Sequence, residues 1–261
     1  MKIGICQLPD GLAPDSLAWG RFVRRVERGR PDLIVLNEMP FGPWVSREAT
    51  FDATLAAVSI EAHQAAIPAL CALPSAVISS RPVRNCSKLA NEAFLVADGQ
   101  CQAIHHKQYF PQEAGFFEGA WFSAGRPGFD AIEYRGVRFG VLLCTEIMFT
   151  EWARHYRRQG VHVIVVPRAS GTALGCWHAA ARMAAIVSGC YVMSSNRVSQ
   201  RHNGGPQFGG AGFAYSPTGE LLQETWEELP FIGVDIDVDL VRRAQGSYPC
   251  YVAELAASHS K

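Results

Sequence analysis

The chain has 261 residues, 48% of them hydrophobic and 18% charged, which is enough for a sizeable core in one large α/β domain or two small ones. Its 24 Lys and Arg balance 24 Asp and Glu, so no general electrostatic pull draws it to nucleic acid or an anionic membrane, and a small neutral or mixed-charge partner fits better. The opening MKIGICQL lacks the pattern of a secretory leader, and no run is apolar for the roughly 18 residues a membrane span needs, so a cytoplasmic protein is expected.

Residues 2–8 read as a first strand and 15–29 as a helix, with Leu17, Phe22, Val23 and Val26 facing a core. Pro31 and Asp32 break the pattern before LIVL (33–36), a short all-apolar strand that delivers Asn37 and Glu38 just past its end. Glu38 is either a solvated loop carboxylate or turn cap, or a functional group where open α/β sheets place their ligands. The spacing predicts a helix over 50–67, capped by Thr50 or Asp52, then strands over 76–84 and 91–107. Asp98-Gly99 splits the second of these into a hairpin, whose later arm ends on Lys107.

His105 and His106 raise the question of a metal, as do Cys176 and His178. Adjacent residues of a strand point to opposite faces, and one intervening residue is unlike zinc-ligand spacing, so neither a metal nor another cofactor is expected. Residues 110–129 are rich in Gly, Pro and aromatics and read as a long ordered loop of the kind that lines a site. Phe116, Phe117, Trp121 and Phe122 either wall a pocket around Glu118 or form a small satellite core.

FGVLL (139–143) has the continuity of a strand buried on both faces and stops abruptly at Cys144, after which 147–159 reads as a helix ending at Gly160. A thiol at such a junction lies near a helix N-terminus, which would lower its pKa and favour the reactive thiolate; the plainer reading is a small buried apolar residue. The eight cysteines include no CxxC pair, so reduced thiols are the better account of them. Residues 161–167 form another apolar strand ending in Arg168, Ala169 and Ser170. A small-residue helix over 177–188 follows, then the strand YVMSS. A mobile-looking glycine run leads into a hairpin around Pro217, Thr218 and Gly219, and 231–237 is a last strand. The tail, 238–261, shows no clear core pattern and closes a single domain spanning 1–261.

Glu38, Lys107 and Cys144 thus share one position, each at the end of an apolar strand. Together they divide a covalent hydrolysis sensibly: a carboxylate takes the thiol proton, sulfur attacks a carbonyl or nitrile carbon, and an ammonium stabilises the oxyanion.

LIVLNEMPF, HHKQYFP and VLLCTEIMFTE resemble the three signature segments of the nitrilase, or carbon-nitrogen hydrolase, superfamily. NEAFLVADGQ, GFFEGAWFSAG and FAYSPTGE resemble its strand before the lysine, its second-glutamate loop and its late hairpin. The resemblance implies a four-layer α-β-β-α sandwich in a homodimer or larger homo-oligomer. It also implies Glu38 as general base, Lys107 as oxyanion stabiliser, Cys144 as nucleophile and Glu118 as the second glutamate, with the Thr145 amide joining Lys107 in the oxyanion hole.

The chain departs from the family pattern at Thr150, where many members have proline, at 184–188, and at Arg168, where small residues are common. Arg168 could bind a substrate carboxylate or pair with a neighbouring acid. Phe117, Trp121 and Ala169 complete the candidate substrate contacts. CTE lacks the tryptophan that often follows the cysteine in nitrilases, which favours an amidase or N-carbamoyl amidohydrolase over a nitrilase. The segment is also similar to apolipoprotein N-acyltransferases, whose membrane setting does not suit this chain. A catalytically silent binding module and a thiol redox protein are the readings from other classes.

Overall fold

A computed structural model describes residues 1–199 and 206–254. The chain runs through strand β1 (Lys2–Pro9), helix α1 (Leu17–Gly29), β2 (Leu33–Val35), α2 (Ala53–Cys71), β3 (Ala76–Asn85), β4 (Lys88–Ala97), β5 (Gln100–His106) and the short α3 (Glu118–Trp121). It continues through β6 (Ile132–Tyr134), β7 (Val137–Val141), α4 (Thr150–Arg158), β8 (Val163–Arg168), α5 (Leu174–Ser188), β9 (Tyr191–Val198), β10 (Phe213–Tyr215), β11 (Leu221–Glu224), β12 (Phe231–Asp235) and α6 (Val238–Gln245).

The strand order β5-β4-β3-β2-β1-β9-β8-β7-β6 folds into two faces because β1 changes partner along its length. Ile3 to Ile5 pair with β2 and β12, whereas Gln7 to Pro9 pair with β9. Alternation then sorts the side chains. Ile3, Ile5, Val35 and Ile78 meet Phe139, Val141, Val163 and Met193 between the two sheets. The opposite faces pack on helices: Ile34, Val77 and Phe94 against Phe22 and Val26 of α1 and Leu70 of α2, and Ile164, Val166 and Val192 against Tyr156 of α4 and Ala181 and Ala184 of α5. Helix, sheet, sheet, helix is the order of layers, as expected.

Parallel pairing of β1 with β2 and β9, and of β8 with β7 and β9, brings several strand C-terminal ends to one edge. The Asp98-Gly99 turn forms as expected, both residues holding positive φ (51° and 74°) between β4 and β5.

Three expectations are revised. The segment from Val238 is helical: Asp237 caps it by accepting from the Asp239 amide, and Val241 sinks into the inter-sheet core. Residues 255–261 of the predicted tail lie outside the described residues. The glycines at 209, 210 and 212 are held in place, Gly209 and Gly210 donating to the Ser170 and Arg197 carbonyls. A Cβ on Gly212 would stand 2.9 Å from the Ser194 carbonyl oxygen, so glycine there permits close backbone approach. Finally, the helix predicted over 147–159 is broken at Phe149 into a 3₁₀ turn, Cys144–Met148, and α4.

Candidate active site

Glu38, Lys107, Glu118 and Cys144 converge, and all four are at least 96% buried or better, with exposures of 0%, 0%, 1% and 4%. Lys107 sits between two carboxylates: its Nζ donates to Glu38 Oε1 at 2.8 Å and to Glu118 Oε2 at 2.6 Å. Asn91 fixes both members of the first pair, because its side chain donates to Glu38 Oε1 at 2.7 Å while its carbonyl accepts from the Lys107 amide at 2.9 Å. The backbone of Glu38 is tied to the neighbouring strand end by its amide, which donates to the Arg168 carbonyl at 3.1 Å. Arg197 reaches across from β9 to the carbonyls of Glu38 and Met39 and pairs with Asp10.

Glu38 Oε2 stays buried with no hydrogen-bond partner. A buried charged oxygen left unpaired is costly, so its persistence marks a place where a proton or ligand is expected. The proton affinities follow from the same crowding. Burial raises the Cys144 thiol well above its ordinary range, and the charge of Glu38 adds to this, while Lys107 and a backbone hydrogen bond from Ala169 act in the other direction. Burial also lifts Glu118 to about 8 against the pull of Lys107, helped by the charge of Glu38. Lys107, desolvated but flanked by Glu118 and Glu38, is held protonated.

These directions correct the expected thiolate. Only a 3₁₀ turn begins at Cys144, and its residues do not present an α-helix N-terminus to the sulfur, so burial dominates and the resting group is a neutral thiol. Cys144 instead owes its presentation to the backbone. It holds φ +50°, a left-handed conformation uncommon for a residue with a Cβ, directly after the buried Leu142 and Leu143. Tyr156 braces the approach: its hydroxyl accepts from the Val141 amide and donates to the Val141 carbonyl. A Cβ on Gly140 would lie 2.6 Å from the Tyr156 ring, which requires glycine beneath it.

Glu146, which the sequence reading left without a role, is the second brace. Its Oε2 accepts from the Leu143 amide at 2.7 Å and bonds His105 Nε2 at 2.8 Å, and its Oε1 accepts from the Gln108 amide at 2.7 Å. One carboxylate therefore ties the residue before Cys144 to the residue after Lys107. The signal for it was present in CTE, an acidic residue two positions from a buried thiol. His106 turns the other way, toward Glu92, as alternation along β5 predicts.

A pocket of about 360 Å³ opens over the cysteine, lined by Cys144, Thr145, Glu118, Phe116, Ala169 and Trp177 among others. Thr145 and Ala169 are thus both part of the pocket wall. Three expected contacts are not. Trp121 is fully buried, packs on Phe51 and donates its indole N–H to the Glu48 carbonyl, so it belongs to the satellite core beneath the loop. Phe117 caps the start of α3 and is absent from the pocket lining. Arg168 is fully buried with its guanidinium consumed by Ser194 Oγ, Ser170 Oγ and the Ala211 carbonyl, and it stacks over Phe213 and Trp177. Those hydrogen-bond partners are neutral, so Arg168 is turned away from the pocket and forms no ion pair among the described residues.

This chain belongs to the carbon-nitrogen hydrolase family, whose sequence model matches residues 2–245. That family comprises hydrolases of carbon-nitrogen bonds other than peptide bonds. Among curated relatives, an N-carbamoylputrescine amidase of Arabidopsis thaliana is 26% identical over 60% of this chain and 57% of its own length. The chain spans less than two thirds of the length of this and several other curated relatives it matches. An omega-amidase of Saccharomyces cerevisiae is 23% identical over 95% of this chain and 91% of its own. The crystal structure of a carbon-nitrogen hydrolase from Helicobacter pylori G27 superposes with a TM-score of 0.84 at 20% identity, covering 96% of this chain and 94% of that one, which establishes the shared fold. No helix among the described residues is long and apolar enough to cross a membrane.

Proposed function

We propose that the protein is an amidase or N-carbamoyl amidohydrolase that cleaves a small linear amide through a thioester on Cys144. The observation that carries this reading is the unpaired, buried Glu38 Oε2 beside a neutral thiol and a fixed ammonium. Because the thiol is neutral at rest, a base must remove its proton during attack, and Glu38, whose Oε2 is buried without a partner, takes that role. As that proton passes to Glu38, sulfur bonds to the carbonyl carbon and the C=O electron pair moves onto oxygen. Lys107 and the Thr145 amide stabilise this oxyanion. Collapse breaks the C–N bond, the leaving ammonia or amine takes the proton from Glu38, and a thioester remains.

Water then gives a proton to Glu38 and adds to the thioester carbon; collapse breaks the C–S bond and returns the proton to sulfur. Glu118 holds Lys107 from its other side, so the ammonium keeps its place through both halves of the cycle. Relatives named for N-carbamoylputrescine and for omega-amides support carbamoyl and simple amide substrates alike.

Incubation with a panel of amides, carbamoyl compounds and nitriles, read by ammonia release and intact mass, tests the proposal. Ammonia from amides and a substrate-derived adduct that vanishes in Cys144→Ala support it. Turnover of nitriles alone makes the protein a nitrilase, and absence of both turnover and selective Cys144 alkylation makes it a binding module.

A further inference from the structure

Arg168 does not line the pocket, which sets its charge balance. Among the described residues its lining contains no Lys, Arg or His; its acidic members are the buried Glu118, whose burial favours the protonated form, and Glu113. Glu113 is exposed, and its backbone is held in a reciprocal pair with Phe116, the amide of each donating to the carbonyl of the other. Its carboxylate has no ion pair among the described residues, whereas most acids near the site, including Glu38, Glu92, Glu118 and Glu146, are matched with a basic group. Deeper in, the ammonium of Lys107 lies between Glu38 and Glu118, so its charge is met within the catalytic cluster, and Arg168, stacked on Trp177, stands behind the wall rather than in it. Pro111, Phe116, Ala173 and Trp177 supply apolar wall.

We propose that the amide substrate carries a positive charge at its far end, joined to the reacting group by a short apolar spacer, and that Glu113 selects it. The inference rests on the amidase reading above and sharpens it. A carboxylate entering this pocket meets the like charge of Glu113, while an ammonium meets it as an opposite charge, with the Phe116 and Trp177 rings also in the wall. The aromatic faces favour the same sign of charge. Because Glu113 is exposed, its pairing is screened, so the expected selection is modest and salt-sensitive.

Three matched amides test this: 5-aminopentanamide, hexanamide and glutaramate, which differ in the charge of the terminus away from the amide. In the intact protein kcat/KM is expected to fall in the order cation, neutral, anion, with a step of about twofold at Glu113 in low salt, the size typical of an exposed ion pair. Glu113→Gln should lower the cation-to-anion ratio by that factor, Glu113→Lys should reverse the preference, and added salt should compress the wild-type ratio. Both substitutions lie on the surface, so folding is readily checked by the thermal transition. Turnover of all three amides without a charge order, or a ratio unmoved in both variants, overturns the inference and leaves the amidase reading intact. Absence of turnover and of any Cys144 adduct with all three overturns both.

Discussion

Glu38 and Glu146 are two fully buried glutamates in one molecule, and they differ in what is left over. Glu146 accepts from two backbone amides and meets His105, so both of its oxygens are occupied. Glu38 spends one oxygen on Asn91 and Lys107 and leaves the other bare. A saturated buried carboxylate is a joint between chain segments; one with an open oxygen retains capacity for a proton. Burial alone therefore does not separate scaffold from chemistry, whereas the tally of lone pairs does.

Replacing the open carboxylate should hurt turnover most. Glu38→Gln retains the shape and an oxygen for Lys107 but cannot take the thiol proton, so kcat is expected to fall by about 10³-fold, within the range for loss of a general base. The thermal transition should stay close to wild type. A variant that unfolds yet retains its specific activity at lower temperature would erase the contrast.

Glu146→Gln should act in the opposite proportion. Its amide nitrogen would confront donors, leaving a buried N–H unpaired, with a loss of stability on the order of 3 kcal/mol measured by denaturant unfolding. Activity should fall through misplacement of Cys144 and Lys107, seen as slower alkylation of Cys144 even in folded protein. Retained stability with abolished turnover would instead assign Glu146 to the reaction.

The smallest effect is in pH dependence and concerns Glu118, which shares Lys107 with Glu38. Its folded pKa is raised from the ordinary 4.5 to about 8, so the folded state holds a proton that the unfolded chain has released. The resulting stability is present in full below pH 4.5 and is lost as pH rises through about 8. Thermal transitions across that window should decline with pH in wild type and decline less in Glu118→Gln. Parallel curves would show that Glu118 is ionised throughout and that Lys107 outweighs burial.

Much of this was legible in the chain because period and position are local signals. LIVL, FGVLL and VHVIVV read as buried strands from their apolar continuity, and Glu38, Lys107 and Cys144 were found from the strand ends they occupy. Residues whose roles depend on a partner distant in sequence were not legible. Asn91 is an unremarkable strand residue until its side chain meets Glu38, 53 positions away, and Glu146 acquires meaning only through Gln108 and His105. Arg168 misled because sequence shows a charge at a strand end without showing that its fork is already filled. Trp121 misled because an aromatic in a loop looks the same whether it faces a ligand or a core. The α6 helix escaped notice because eight residues offer only Val241 and Ala244 as a buried face.

The sunken, proton-bearing sulfur of Cys144 also bears on how the protein meets oxidants. Peroxides and disulfides consume thiolates, so a sulfur whose ionisation is opposed by burial meets them slowly. Cys86 and Cys176 stand at the surface, where an oxidant reaches them before it reaches the buried Cys144.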